Sequence, residues 1–183
     1  MRNRALINFI DIGKIVFFLL LLIICNKIKI PLEPVPFTLG TFAVLLIGYF
    51  NKPSNALIIG VLYLVFGFIG LPVFSNNNSL NFNLFLEMKS GGYILGFIPA
   101  AYLISKFSYY YQNNSFIKLL SLGIVAHIII VAIGYLWLCR FIPPMTAFWN
   151  GVYPFFAGAL IKTILAATIV WLVTKIKIKS AKI

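Results

Sequence analysis

Acidic side chains are almost missing from this chain. Asp11, Glu33 and Glu87 stand alone against 15 lysines and arginines, for a formal charge of +12. Charged residues of both signs make up only 10% of the 183 residues, and hydrophobic ones make up 62%. Soluble domains carry about a quarter charged residues. A water-soluble fold has too little polar surface here, so the medium around most of the chain is lipid. Histidine occurs once, at His127, and the two cysteines, Cys25 and Cys139, are far apart. No metal site of familiar ligands can be assembled from so few donors. A single histidine on an apolar stretch also argues against intramembrane protease chemistry and reads as a hydrogen-bonded core residue. There is no phosphate-binding glycine loop, so the chain cannot power transport with ATP by itself. No cofactor is implied. The excess of basic charge would point to nucleic acid in a soluble protein. Here the basic residues sit at the ends of apolar runs, where lipid headgroups lie, and no nucleic-acid partner is expected.

What is present is a series of six apolar segments: about 5 to 26, 38 to 50, 55 to 73, 91 to 106, 116 to 141 and 152 to 174. Backbone groups in lipid must be satisfied internally, and continuous apolar runs do that as helices rather than as barrel strands. The second and fourth fall short of the roughly 20 residues a span needs. The run "IVFFLLLLIIC" follows Arg2 and Arg4 without a cleavage site and reads as an uncleaved first helix. With six spans, one side collects Arg2, Arg4, Lys14, Lys52, Lys106, Lys118, Lys175, Lys177, Lys179 and Lys182, and the other Lys27, Lys29, Lys89 and Arg140. That asymmetry predicts cytoplasmic termini. The tail "KIKIKSAKI" alternates like a short strand but is expected to be a basic anchor. Gly92, Gly96 and Ala100, at four-residue spacing, predict close helix packing, and Gly60 and Gly67 mark a similar face. No internal repeat is visible, which speaks against an inverted-repeat transporter.

Three stretches go beyond spanning a bilayer. In "IPLEPVPFTLG", residues 30 to 40, Pro31, Pro34 and Pro36 force an extended backbone, with Thr38 as a cap for the next helix. This stiff segment either covers a cavity or simply connects. In "FIGLPVFSNNN" a helix ends near Gly70 and Pro72, ahead of an Asn-rich stretch running to Ser90. Asparagine donates and accepts at once and suits an amide- or urea-like ligand. In "YPFFAGALIKTILAATIVWLV" Lys162 lies near the middle of an apolar span with no acid in the segment. A lysine at a helix centre costs about 2.5 to 3.5 kcal/mol on insertion scales and is a functional candidate by default. Phe155, Gly158, Ala159, Lys162 and Ala166 share one helical face, and the small residues leave room inside a bundle. A ligand carboxylate is the expected counter-charge.

Taken together, "PVPFTLGTFAVLLIGY", "LYLVFGFIGLPVF", "SGGYILGF" and "GVYPFFAGALIK" resemble, in order and spacing, the signatures of the biotin-transport substrate-binding subunits, the BioY family. The resemblance covers about Pro31 to Lys162. It implies an all-α integral membrane protein of six transmembrane helices, one domain over residues 1–183, in the cytoplasmic membrane of a bacterium. It further implies capture of biotin, and work either with a transmembrane coupling subunit and two ATP-binding subunits as an energy-coupling-factor transporter, or through self-association. The family's ligand-contacting asparagine matches Asn78, with Asn77 and Asn76 adjacent. Its lysine matches Lys162, while Ala159 stands where the family has an aspartate and Gly40 where it usually has glutamine. The first helix lacks a clear row of small residues spaced by four. Phe37, Phe74, Tyr93 and Trp149, near these motifs, are candidates to line the apolar part of the site. Because Ala159 and Gly40 alter the pocket, two alternatives stay open: the same fold binding another small vitamin or acid, and a membrane scaffold with a degenerate pocket.

Overall fold

The computed structural model describes residues 9–75, 82–110 and 115–180. It is mostly helical. Helix α1 (Phe9–Lys27) is followed by two short antiparallel strands, β1 (Lys29–Ile30) and β2 (Phe37–Thr38), and then by α2 (Gly40–Phe50), α3 (Pro53–Phe68) and the short α4 (Phe82–Glu87). Next come α5 (Gly91–Tyr110), α6 (Phe116–Leu138), the short α7 (Pro144–Gly151) and α8 (Phe155–Ser180). Among the described residues, α1, α6 and Phe155–Ile176 of α8 are long and apolar enough to cross a membrane, whereas α2 and α3 are shorter apolar helices. Large apolar side chains cover the outside, among them Phe17, Ile128, Leu136 and Phe156. A water-soluble monomer does not expose so broad an apolar surface.

Local sequence explains where the helices begin and end. Pro53 starts α3 after an extended Lys52, a position where its missing N–H costs nothing. Ser115 caps α6 by accepting from the Lys118 N–H at 3.3 Å. Past α3, Gly70 adopts φ 90°, open to glycine without penalty, and turns the chain toward Pro72. The prolines of the 31–36 segment sit in the loop of the β1–β2 hairpin, which bends at residues 33–35 around a cis Glu33–Pro34 peptide instead of running extended throughout. Its register pairs Lys29 with Thr38 and Ile30 with Phe37. The cap of α2 departs slightly from expectation. Leu39 holds the N-cap position, and the Thr38 hydroxyl accepts the Gly40 N–H at 3.2 Å.

Helix α5 is the centre of the bundle, packed on α6, α2 and α3, while α8 lies on α6 and α2. The small-residue row works as the spacing predicts. A Cβ at Gly96 would come within 2.9 Å of the Ile130 backbone, Gly92 sits against Trp137 and Ile133, and Ala100 is fully buried. The pair on α3 divides its labour: Gly60 faces Ile98 of α5, whereas Gly67 makes room for the Phe74 ring. Asp11 fastens α1 to the α2–α3 corner, accepting from Lys52 Nζ at 2.7 Å and Asn55 Nδ2 at 3.0 Å. The last apolar segment also differs from its expected outline. Pro143 and Pro144 set off α7 as a separate short helix, and α8 runs on to Ser180, so most of the basic tail continues a helix rather than forming a strand.

Candidate functional site

Lys162 is 5% exposed, and its surroundings carry no negative charge. Its Nζ donates to the Thr38 carbonyl at 2.6 Å and to Thr41 Oγ1 at 3.1 Å. It also lies 3.8 Å from the centroid of the Phe37 ring, within cation–π range. Gly158, one turn earlier on α8, lacks the Cβ that would collide with that ring. The small face read from the sequence is therefore the seat of Phe37, and the lysine reaches across to the hairpin and the start of α2. Glu33 and Glu87 are exposed, and Asp11 is engaged with Lys52.

The shell behind this contact contains a residue the sequence did not single out. Asn26, 3% exposed near the end of α1, accepts from Thr38 Oγ1 at 3.2 Å through Oδ1 and donates to the Leu22 carbonyl at 3.0 Å. A Cβ at Gly40 would stand 2.6 Å from the Asn26 Cγ. The bare backbone at position 40 is what admits the Asn26 amide. Since Thr38 also holds Lys162 through its carbonyl, α1, the hairpin, α2 and α8 are tied together at one point.

These groups line a cavity of about 50 Å³. Its polar wall includes Asn26, Thr38, Thr41, His127 and Lys162; Tyr93, Ile94, Phe97 and Phe155 form apolar wall, and Val35 and Pro36 of the hairpin tip lie over it. Ala159 also faces it. Counting hydrogens shows what the wall lacks. Lysine has three N–H donors, and two are engaged here; the Thr41 hydroxyl accepts and retains its own hydrogen; the Asn26 amide has spent one of two. Donors outnumber acceptors, and the cluster is cationic. An anion with several lone pairs, such as a carboxylate, is the complementary group.

The other singled-out residues divide. Phe37 touches Lys162 and packs on Phe155, with centroids 5.7 Å apart. Tyr93 stacks on Phe155 at 5.7 Å and donates its hydroxyl to the Gly151 carbonyl at 2.7 Å, which anchors the end of α7. Phe74 is buried in an aromatic cluster with Tyr63 and Phe85 and does not itself line the cavity, although the next residue, Ser75, does. Its carbonyl accepts from Lys27 Nζ at 2.8 Å, and that of Ser75 accepts from Lys29 Nζ at 2.7 Å, so the chain leaving α3 is pinned beside the hairpin. Trp149 is half exposed on α7, edge-on to Phe148 and tilted against Tyr153. Asn76, Asn77 and Asn78 lie outside the described residues. A second, almost wholly apolar cleft of about 490 Å³ runs between α6 and α8, divided from the first by His127, Val131, Phe155 and Ala159.

The model of the BioY family matches residues 1–179. The chain belongs to the BioY family. The biotin transporter BioY of Thermotoga maritima is 32% identical over 163 residues, covering 88% of this chain and 94% of that one. The biotin transporter BioY2 of Lactococcus lactis subsp. cremoris is 34% identical over 144 residues, 78% of each. Among solved structures, the S-component for biotin from an ECF-type ABC transporter superposes with a TM-score of 0.80 at 26% identity, covering 90% of both chains. The resemblance carried by the four motifs is thus borne out along nearly the whole chain, and with it the reading as a multi-pass membrane transport protein rather than an enzyme.

Proposed function

We propose that this chain captures biotin at the outer face of a bacterial cytoplasmic membrane and serves as the substrate-binding subunit of an energy-coupling-factor transporter. In this reading α1, α2, α3, α5, α6 and α8 are six spans with both termini in the cytoplasm, in keeping with the ten-to-four split of basic residues. A transmembrane coupling subunit and two ATP-binding subunits would supply the energy. The observation that carries the ligand assignment is the unspent set of donors around Lys162, which calls for a carboxylate. The names of the relatives point to biotin, whose free acid supplies one. Asn77 and Asn78 are proposed to meet the ureido end, and Phe37 and Tyr93 to flank the apolar ring system. Room for it comes from parting the wall at Val131, Phe155 and Ala159.

Radiolabelled biotin binding to detergent-purified protein tests this. The free acid is expected to bind tighter than biotin methyl ester. Lys162→Met keeps the apolar stem and removes the charge. A hydrogen bond to a charged group is worth about 1.5 to 3 kcal/mol, so affinity should fall roughly ten- to a hundredfold. Unchanged binding by this variant, or equal affinity for acid and ester, would reject the site. No binding by the unaltered chain would leave a scaffold role, and displacement of biotin by another acid at lower concentration would name a different cargo.

A further inference from the structure

His127 is the one histidine of the chain and lies in the middle of α6, 6% exposed. Its ring is held on one side only. Nδ1 stands 3.1 Å from the Gly123 carbonyl and 3.1 Å from Thr163 Oγ1. A bare Nδ1 lone pair 3.1 Å from the Gly123 carbonyl oxygen would be repelled by it, which favours the neutral tautomer with the hydrogen on Nδ1, shared with Thr163 Oγ1. Nε2 is then a bare lone pair, and among the described residues it has no hydrogen-bond partner although it is buried. A buried polar atom left without a partner is costly in a low-dielectric interior, and such an atom calls for an explanation. The explanation is where the residue lies: His127 lines the cavity that holds Lys162. Lys162, Thr41 and Asn26 offer that cavity donors in excess, while His127, on its wall, holds an acceptor in want of a donor, covered until the wall parts. An anion cannot satisfy both. A ligand that carries a carboxylate and also an N–H can.

We propose that His127 Nε2 is a specificity-determining acceptor that takes an N–H of a cyclic urea in the ligand. The assignment rests on the reading of the cavity as a biotin site, whose ligand has two such N–H groups. Thr163 and Gly123 act as positioning partners that fix the tautomer. The neighbouring apolar wall of Val131 and Phe155 keeps water from competing for the lone pair.

The chain's single histidine makes the test one-signal. In protein made with ¹⁵N-labelled histidine, Nε2 is expected to resonate as the unprotonated, pyridine-type nitrogen and to shift toward the hydrogen-bonded position when biotin is added. A protonated Nε2, or an Nε2 signal unmoved at saturating biotin, would overturn the assignment. Two variants separate acceptor from packing. His127→Gln can place its carbonyl near the Nε2 position and should keep most of the affinity. His127→Asn reaches only to the Nδ1 position and should bind about tenfold more weakly; equal affinities would count against the proposal. The bare cyclic urea 2-imidazolidinone, at high concentration, serves as a second probe. If biotin fails to bind but this urea shifts Nε2, the biotin reading falls and the acceptor stands; if neither shifts it, the acceptor falls as well.

Discussion

A lysine inside an apolar helix is tolerable when every atom around it is placed to receive it. Here the receiving group is a backbone carbonyl, a hydroxyl and an aromatic face, and the Phe37 face and the Thr38 anchor each depend on a missing side chain somewhere else. Phe37 reaches Lys162 because position 158 is glycine, and Asn26 reaches Thr38 because position 40 is glycine. Gly158→Ala is therefore expected to push the Phe37 ring off the lysine, at about 1 to 3 kcal/mol of overpacking. Biotin affinity and thermal midpoint should both fall. Gly13→Ala is the matched control, since a Cβ there meets nothing within 4 Å; it should leave affinity unchanged and the midpoint level or slightly higher. The role of Lys162 was legible because an uncompensated charge amid small residues on one helical face is a local pattern. Asn26 was not legible. Its partner Thr38 is 12 residues away across a hairpin, and nothing in the run "LLLLIICNK" says which side of the helix the amide faces. The lone pair of His127 was hidden for the same reason: reading His127 as a hydrogen-bonded core residue is right for Nδ1, but the tautomer is set by Gly123 and Thr163, and the second of these sits on another helix.

Among the helices, the α5–α6 contact has the least slack. Gly96 lets the Ile130 backbone approach to a distance any side chain would forbid. Gly96→Leu should separate the two helices and lower the thermal midpoint in detergent, by about 1 to 3 kcal/mol if the bundle adapts and more if it does not. The same change at Pro99, exposed on this helix, is the comparison that should do far less. The end of α3 was readable because Gly70 and Pro72 punctuate an apolar run, and the expected starts near 55 and 116 lie within two residues of Pro53 and Phe116. The pieces that escaped are short. Strands of two residues have no periodicity to detect, and α7, eight residues bounded by Pro143 and Val152, carries Thr and Asn amid apolar residues and reads as a connector. Hydropathy counts spans, and it does so well for α1, α6 and α8. It has less to say about α2 and α3, whose burial comes from neighbouring helices rather than from their length.

For the molecule as a whole, the proposed orientation places the Asp11–Lys52 corner in the cytoplasm and the end bearing α7 outside. Single cysteines at Ser54 and Thr146, both exposed positions, report on the two ends once Cys25 and Cys139 are replaced by alanine. In intact cells an impermeant maleimide should label the Thr146→Cys protein and spare the Ser54→Cys protein until the membrane is opened. The reverse pattern would invert the topology, and labelling of both in sealed cells would break the six-span arrangement.

The size of the space beside Lys162 has a bearing on speed. About 50 Å³ admits a few waters, since each needs roughly 10 to 15 Å³, whereas a site for a molecule the size of a vitamin measures about 300 Å³ or more. Entry of such a molecule is therefore not a single collision. The hairpin tip and the Phe155 wall must part before or as the ligand arrives, so the rate of capture levels off as ligand becomes plentiful, at a ceiling set by the protein's own opening. Escape must pass through the same opening, now with the ligand's own contacts to break as well. A narrow cavity thus acts as a clock: it lengthens the stay of a captured molecule beyond what the hydrogen bonds inside would give by themselves.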